Sequence, residues 1–110
     1  MVVHDAGVGT GIVKRELDGM ADSFPVGTPK VFAWFEVTLP RRDRQQVVAQ
    51  WYLEGKQVGT GLHTTIVGGR QEGFRTWTGH STPAPGAWRV DLLTEKSSQL
   101  IGRVRFKVTP

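Results

Sequence analysis

Near its C-terminus the chain reads Leu100-Ile101-Gly102-Arg103-Val104-Arg105-Phe106-Lys107-Val108, and this stretch decides the fold class. Apolar and cationic residues alternate along it. Because successive side chains of a β-strand point to opposite sides, one side of this strand is predicted to face a core and the other to face water. The core-facing set is Leu100, Val104, Phe106 and Val108. The outward-facing set is Arg103, Arg105 and Lys107.

The same alternation recurs upstream, whereas helical periodicity does not. Glycine, proline and charged residues separate the alternating runs, as is typical of a protein with many short strands and tight turns. Further strands are expected from Leu62 to Val67 and from Phe74 to Thr78. The upstream sets predicted to face the core are Val31, Ala33, Phe35 and Val37, then Val47, Ala49, Trp51 and Leu53, then Trp88, Val90 and Leu92.

These patterns predict an all-β protein. Parallel strands need long crossover connections, and the connections here are short, so the sheets are expected to be mainly antiparallel. Strands with one apolar side suit two sheets packed face to face. We therefore predict an antiparallel immunoglobulin-like β-sandwich of seven or eight strands, with a small β-barrel as the alternative.

The sequence indicates one domain over residues 1–110, whose first 28 residues are expected to be partly irregular. Within them, Thr10 to Leu17 is the candidate first strand. The segment from Leu17 to Phe24 is expected to form a turn or one helical turn. Because the chain starts abruptly and ends directly after its last strand, we expect a domain taken from a larger protein.

Composition excludes several classes of protein. The chain has no cysteine, which excludes disulfides and thiolate zinc sites. Its longest apolar run, Val31 to Phe35, is far shorter than the roughly 20 residues of a spanning helix, so we expect no membrane insertion by this segment. Lys and Arg total 14 against 10 Asp and Glu, giving a net charge of +4, which favours a basic, soluble surface.

No residue pattern indicates catalysis. His80-Ser81 is the only adjacent pair of a base and a hydroxyl, and no orienting group or strained elbow surrounds it. The three histidines, His4, His63 and His80, lack the paired spacing of a metal site. We therefore predict no enzyme activity, no metal and no cofactor.

Four aromatic residues fall out of phase with the apolar sides of their strands: Phe32, Trp34, Tyr52 and Trp77. If the phases are right, these rings lie on an outer face. Exposed rings on a flat sheet stack against sugars or hold a protein partner. The other reading is that the N-terminal segment covers that face, or that the phases are inverted.

Four cationic residues are expected to share one outer face of two neighbouring strands: Arg89, Arg103, Arg105 and Lys107. Such a face attracts nucleic acid when aromatic rings accompany it. Asp91 dilutes the charge, and recognised nucleic-acid signatures are missing. We read the set as a solvated basic face and do not expect nucleic acid as the ligand.

The order of motifs in the second half resembles a bacterial family known only as domain of unknown function 2914. The most specific element is Val67-Gly68-Gly69-Arg70 followed by Phe74-Arg75-Thr76-Trp77, and Gly86-Ala87-Trp88-Arg89-Val90 comes after it. The resemblance extends over about residues 10–110. It implies a short β-domain, often at the C-terminal end of a larger protein of the bacterial cell envelope or periplasm. It supplies no activity, cofactor or catalytic residue.

We therefore expect a non-catalytic protein–protein interaction or scaffold module of a larger bacterial protein. Its unidentified partner would bind at a sheet face or along an exposed edge strand. The alternative is a carbohydrate-binding module that holds a polysaccharide on the outward-facing aromatic residues.

Overall fold

The computed structural model describes residues 1–69 and 73–110, and these residues contain ten strands. In chain order they are β1 (Val2–Gly9), β2 (Gly11–Val13), β3 (Glu16–Asp18), β4 (Ser23–Pro25), β5 (Lys30–Thr38), β6 (Arg44–Leu53), β7 (Lys56–Val67), β8 (Phe74–Ser81), β9 (Gly86–Thr94) and β10 (Leu100–Thr109). Seven of them have eight residues or more, and three have only three.

Two larger sheets form a sandwich. One has three strands in the order β1-β5-β8, and the other has five in the order β4-β10-β9-β6-β7; β2 and β3 form a separate hairpin. All pairs are antiparallel except β4 with β10. Neither sheet closes on the other, so the predicted sandwich is confirmed and the barrel alternative is wrong.

The connectivity is immunoglobulin-like. Among the seven long strands, the first, second and fifth share one sheet, and the third, sixth and seventh share the other. The fourth long strand, β7, pairs with β6 rather than with β8. In the constant-type immunoglobulin domain the fourth strand instead lies beside the fifth. The outer edge of β8 is therefore left without a neighbouring strand in the described part of the chain.

The alternation read from the sequence produces the core. In β5 the side chains of Val31, Ala33, Phe35 and Val37 are at most 1% exposed. The inward-facing residues of the other sheet are buried in the same way, and Val47, Val90 and Leu92 are nearly inaccessible to solvent. One apolar cluster between the two sheets contains all of them.

Aromatic rings occupy the middle of this core. Trp51 in β6 contacts Trp88 and Phe106 edge-on, with ring centroids 6.1 and 6.0 Å apart, and Trp88 stacks on Phe106 at 5.8 Å. The indole Nε1 of Trp51 donates to Oγ1 of Thr78 in the opposite sheet at 3.3 Å. Nε1 of Trp88 donates to the carbonyl of Ala84 at 2.8 Å. Both buried indole donors are therefore satisfied.

The N-terminal part departs from the prediction. The first strand is Val2–Gly9, whereas the segment expected as the first strand forms the β2–β3 hairpin. Gly7 and Gly9 lie inside β1, and the hairpin packs directly on them. A Cβ at Gly7 would lie 2.8 Å from Cδ2 of Leu17, and one at Gly9 would collide with the carbonyl of Asp18. Of the two conformations expected from Leu17 to Phe24, the helical turn is wrong: residues 19–22 form a bent connection between β3 and β4.

One residue of the decisive stretch was assigned to the wrong side. Val104, Phe106 and Val108 face the core as predicted, but Leu100 is 44% exposed. The pairing of β10 with β9 shifts register between Leu100 and Gly102. A bulge of this kind reverses the side to which the preceding residues point, and it turns Leu100 outward.

Replacement of Trp51 by alanine tests the central cluster. The change removes the ring contacts with Trp88 and Phe106, leaves a cavity, and deprives Thr78 of its partner. We expect the free energy of unfolding to fall by about 3–5 kcal/mol. Guanidinium unfolding followed by circular dichroism measures this loss. Met20→Ala is the control, because Met20 is 64% exposed, and we expect it to change stability by less than about 0.5 kcal/mol. Equal losses would contradict the role of Trp51.

Candidate functional site

The four predicted aromatic residues do not form one surface. Phe32 and Trp34 lie on β5 and Trp77 lies on β8, all pointing away from the core of the three-stranded sheet. Tyr52 lies on β6, and its side chain leaves the outer face of the five-stranded sheet. The period-2 pattern predicts that each ring points outward, but it does not say from which sheet.

Trp34 is outward-facing but covered, so the expectation that it is exposed is wrong. It is only 2% exposed. The β2–β3 hairpin lies over it, and its Nε1 donates to the carbonyl of Arg15 at 2.9 Å. A salt bridge of 2.9 Å between Arg75 of β8 and Glu16 of β3 holds the hairpin across the sheet. The N-terminal segment therefore covers this part of the outer face, as the alternative interpretation of the sequence predicted.

Phe32 and Trp77 remain partly exposed on this face. Phe32 pairs with Gly79 across the strands, and a Cβ at Gly79 would lie 3.0 Å from the Phe32 ring. The ammonium of Lys30 lies 5.2 Å from the centroid of Phe32. Trp77 is directly opposite Trp34. This face thus offers two separate rings instead of a continuous aromatic platform.

The four cationic residues do share one face, and we call Arg89, Arg103, Arg105 and Lys107 the cationic face. Arg89 belongs to β9 and the other three to β10, and the two strands are neighbours in the five-stranded sheet. The residues that alternate with these cations along β9 and β10, such as Trp88 and Phe106, are buried. The outward orientation of the cationic face follows from that alternation.

Asp91 is the acidic centre of this face. It lies directly opposite Arg103, whose Nε and Nη2 donate to its two carboxylate oxygens at 2.6 and 3.0 Å. Nε of Arg89 also lies 3.4 Å from Oδ2. Burial raises the pKa of Asp91, whose side chain is 6% exposed, but the hydrogen bonds and charges of Arg103 and Arg89 outweigh burial and leave the pKa below its ordinary value. The hydrogen bond to Asp91 raises the pKa of Arg103.

Arg89 has a second partner on the same face. Its guanidinium carbon lies 4.0 Å from the centroid of the Tyr52 ring, a cation–π distance. Arg105 lies directly opposite Arg89 in the sheet. Sequence reasoning treated Asp91 only as a dilution of charge. The register of the β9–β10 hairpin, which the loop after Thr94 sets, is the feature that assigns its partners.

The open side of the sandwich between β7 and β8 is a feature that the sequence pattern did not reveal. Leu62 of β7 is 47% exposed there. It borders a narrow gap between the sheets that Thr64, Thr76 and Trp77 also line. The signal in the sequence is the composition of β7, because no Lys, Arg, Asp or Glu occurs from Gln57 to Val67.

His80 is part of the core packing. It is the penultimate residue of β8, and its ring packs 5.5 Å from Trp51 and 5.0 Å from Trp88. Among residues 1–69 and 73–110, no three His, Asp or Glu side chains converge as metal ligands would. The same residues include no helix with the length and hydrophobicity needed to cross a bilayer.

Asp91→Asn tests the ionic cluster through its pH dependence. The pKa of the folded carboxyl lies below the ordinary value of 3.8, so the unfolded chain binds the proton more readily. The stabilisation is present above pH 3.8 and is lost as the pH falls through the pKa of the folded state. We expect the variant to be less stable at pH 7 and to lose less stability between pH 6 and 3 than the parent. Urea unfolding at each pH measures this, with exposed Asp43→Asn as the control; identical slopes in both variants would contradict it.

Comparison with known proteins identifies a family. No curated protein matches the chain. A family model described as "Protein of unknown function (DUF2914)" matches residues 44–108, which is narrower than the resemblance read from the sequence. The matched part contains the cationic face, Tyr52, Leu62 and Trp77, while Phe32, Trp34 and the β2–β3 hairpin lie outside it. Because the match covers more than half of the chain, the protein belongs to the DUF2914 family.

Proposed function

We propose that this chain is a non-catalytic protein-interaction module that receives an extended segment of a partner along the free edge of β7. The observation that carries the proposal is the strand itself. β7 runs for 12 residues at the end of the five-stranded sheet and, among the strands that the structure describes, pairs only with β6. Apart from Lys56 at its start, it has no Lys, Arg, Asp or Glu.

An open edge strand presents unpaired backbone donors and acceptors to solvent, and these can pair with another strand. Proteins commonly protect such edges with charged side chains, proline, short strands or bulges. β7 has a bulge near its start, where Gly59, Thr60 and Gly61 lie opposite Gln50 alone. Beyond this bulge, the stretch Leu62–Val67 is regular and contains no Lys, Arg, Asp or Glu. That stretch suits strand addition, in which main-chain hydrogen bonds supply affinity.

The side chains next to the edge favour an apolar contact. Leu62 is exposed at the rim of the gap between the sheets, and Thr64 and Trp77 line the same gap. Its floor is made of buried core residues such as Phe35 and Val47. An apolar side chain of an added strand would cover Leu62 at the rim of this gap, which adds specificity to backbone pairing.

We place this module within a larger bacterial protein of the cell envelope, where it acts as a scaffold or docking unit. The resemblance described above supports this setting. The proposed mode of binding does not depend on it, because strand addition uses only the edge of β7 and the residues that border it.

A photo-crosslinking amino acid in place of Leu62, in the full-length protein and in its own cells, tests the binding mode. We expect a discrete protein adduct from this position. The same substitution at Met20, which is 64% exposed and lies away from β7, is the matched control and should give none.

A second substitution, Thr64→Lys, places an inward-pointing charge on the edge strand, a feature that blocks strand pairing. We expect it to abolish the Leu62 adduct while leaving the fold intact by circular dichroism. No adduct from Leu62, or an adduct that survives Thr64→Lys, would show that β7 is not the docking edge.

A carbohydrate-binding module is the second candidate, and one observation favours it. Phe32 and Trp77 present partly exposed rings on the same outer face, and sugar rings stack on such surfaces. We expect polysaccharide to change the tryptophan fluorescence of the parent and to bind more weakly to Trp77→Ala. Tyr52→Ala, on the opposite sheet, is the control and should bind as the parent does. Equal binding by all three proteins, or none, would contradict this candidate.

A further inference from the structure

We propose that the cationic face is a second docking surface, which binds an extended protein segment with acidic residues at alternate positions. The proposal goes beyond strand addition at β7 and does not need it. Its centre is Arg105 and Lys107, which lie two residues apart on β10 and are both exposed. Charge complementarity selects the acidic partner.

The positive charge of the cationic face exceeds the negative charge that Asp91 contributes to it. Asp91 accepts hydrogen bonds from both Arg103 and Arg89, so two of the four cations share a single carboxylate. Within residues 1–69 and 73–110, no carboxylate lies within ion-pair distance of Arg105 or Lys107. Two full charges therefore remain available for an external anion.

The strand register places like charges next to each other. Arg105 lies directly opposite Arg89, and directly opposed like charges destabilise a sheet. Arg89 contacts Tyr52 and Asp91 instead, at 4.0 and 3.4 Å. A carboxylate bound over Arg105 would relieve this repulsion, so the bound state gains from an interaction that the free protein lacks.

The spacing fits an extended peptide. Alternate residues of a strand are separated by about 6.8 Å, so Arg103, Arg105 and Lys107 form a row with that interval. Every second side chain of a partner strand running along β10 has the same interval.

Two other polyanions fit less well. Single-stranded nucleic acid binds by stacking its bases on open aromatic rings, but Arg89 already covers the ring of Tyr52 on this face. An anionic membrane gains little from two unpaired cations. A peptide with ordered carboxylates uses both the charges and their spacing.

The probe is a fluorescent ten-residue peptide that alternates glutamate with threonine, and binding is followed by anisotropy. The test variant is Arg105→Glu with Lys107→Glu. The control is Arg41→Glu with Arg42→Glu, which changes the net charge equally in an exposed turn between β5 and β6. We expect the parent to bind, the control to bind within about twofold of it, and the test variant to bind at least tenfold more weakly. Higher salt should weaken binding.

Stability provides a second readout. Arg105→Glu replaces a repulsive pair with an attractive one opposite Arg89, so we expect a Tm equal to or above that of the parent although binding is lost. Loss of binding together with a lower Tm would indicate damage to the fold and overturn the proposal. Failure of the parent to bind, or equal losses in test and control variants, would also overturn it. So would equally tight, variant-sensitive binding of a single-stranded oligonucleotide or of phosphatidylserine vesicles.

Discussion

The structure depends on the contact of Trp51, Trp88 and Phe106 between the two sheets. These rings come from three adjacent strands and fill the space that faces β5 and β8. Each indole also forms a hydrogen bond, from Trp51 to Thr78 of the opposite sheet and from Trp88 to the turn that precedes β9. The cluster thus fixes both the separation of the sheets and the entry of the chain into β9. In a chain without disulfides, buried aromatic area of this kind is the main cohesive contribution.

Period-2 alternation was sufficient to predict this core, because burial on one side of a strand leaves a direct record in the residue types. It could not predict features that depend on contacts distant in sequence. Leu100 was misplaced because one bulge reverses the phase. The lack of a side chain at Gly7 and Gly9 serves the close approach of the β2–β3 hairpin, which the alternation does not reveal. Trp34 faces outward as its phase indicates, but only the folded hairpin reveals that it is covered.

The candidate surfaces could be predicted to different degrees, because some depend on the alternation of residue types and others on strand pairing. Alternation identified the cationic face, since all four of its residues lie on two strands of clear phase. The role of Asp91 depends on cross-strand register, which the five-residue loop between β9 and β10 does not fix from sequence. The open edge of β7 depends on topology, because it exists only where the fourth long strand joins β6 and leaves β8 uncovered. Residue types therefore indicate which side chains are available, and pairing determines which of them meet.

The bulge near the start of β7 has a geometric consequence of its own. The amide of Gln50 fills it and donates toward the carbonyls of Trp51, Val58 and Gly59 at 3.3–3.4 Å. That inserted amide interrupts the ladder, so an incoming chain could match only the stretch from Leu62 to Val67, a span of about 20 Å. A strand added at this edge would therefore stay short, and pairing would not extend into the endless stacking by which unguarded sheets grow into fibrils.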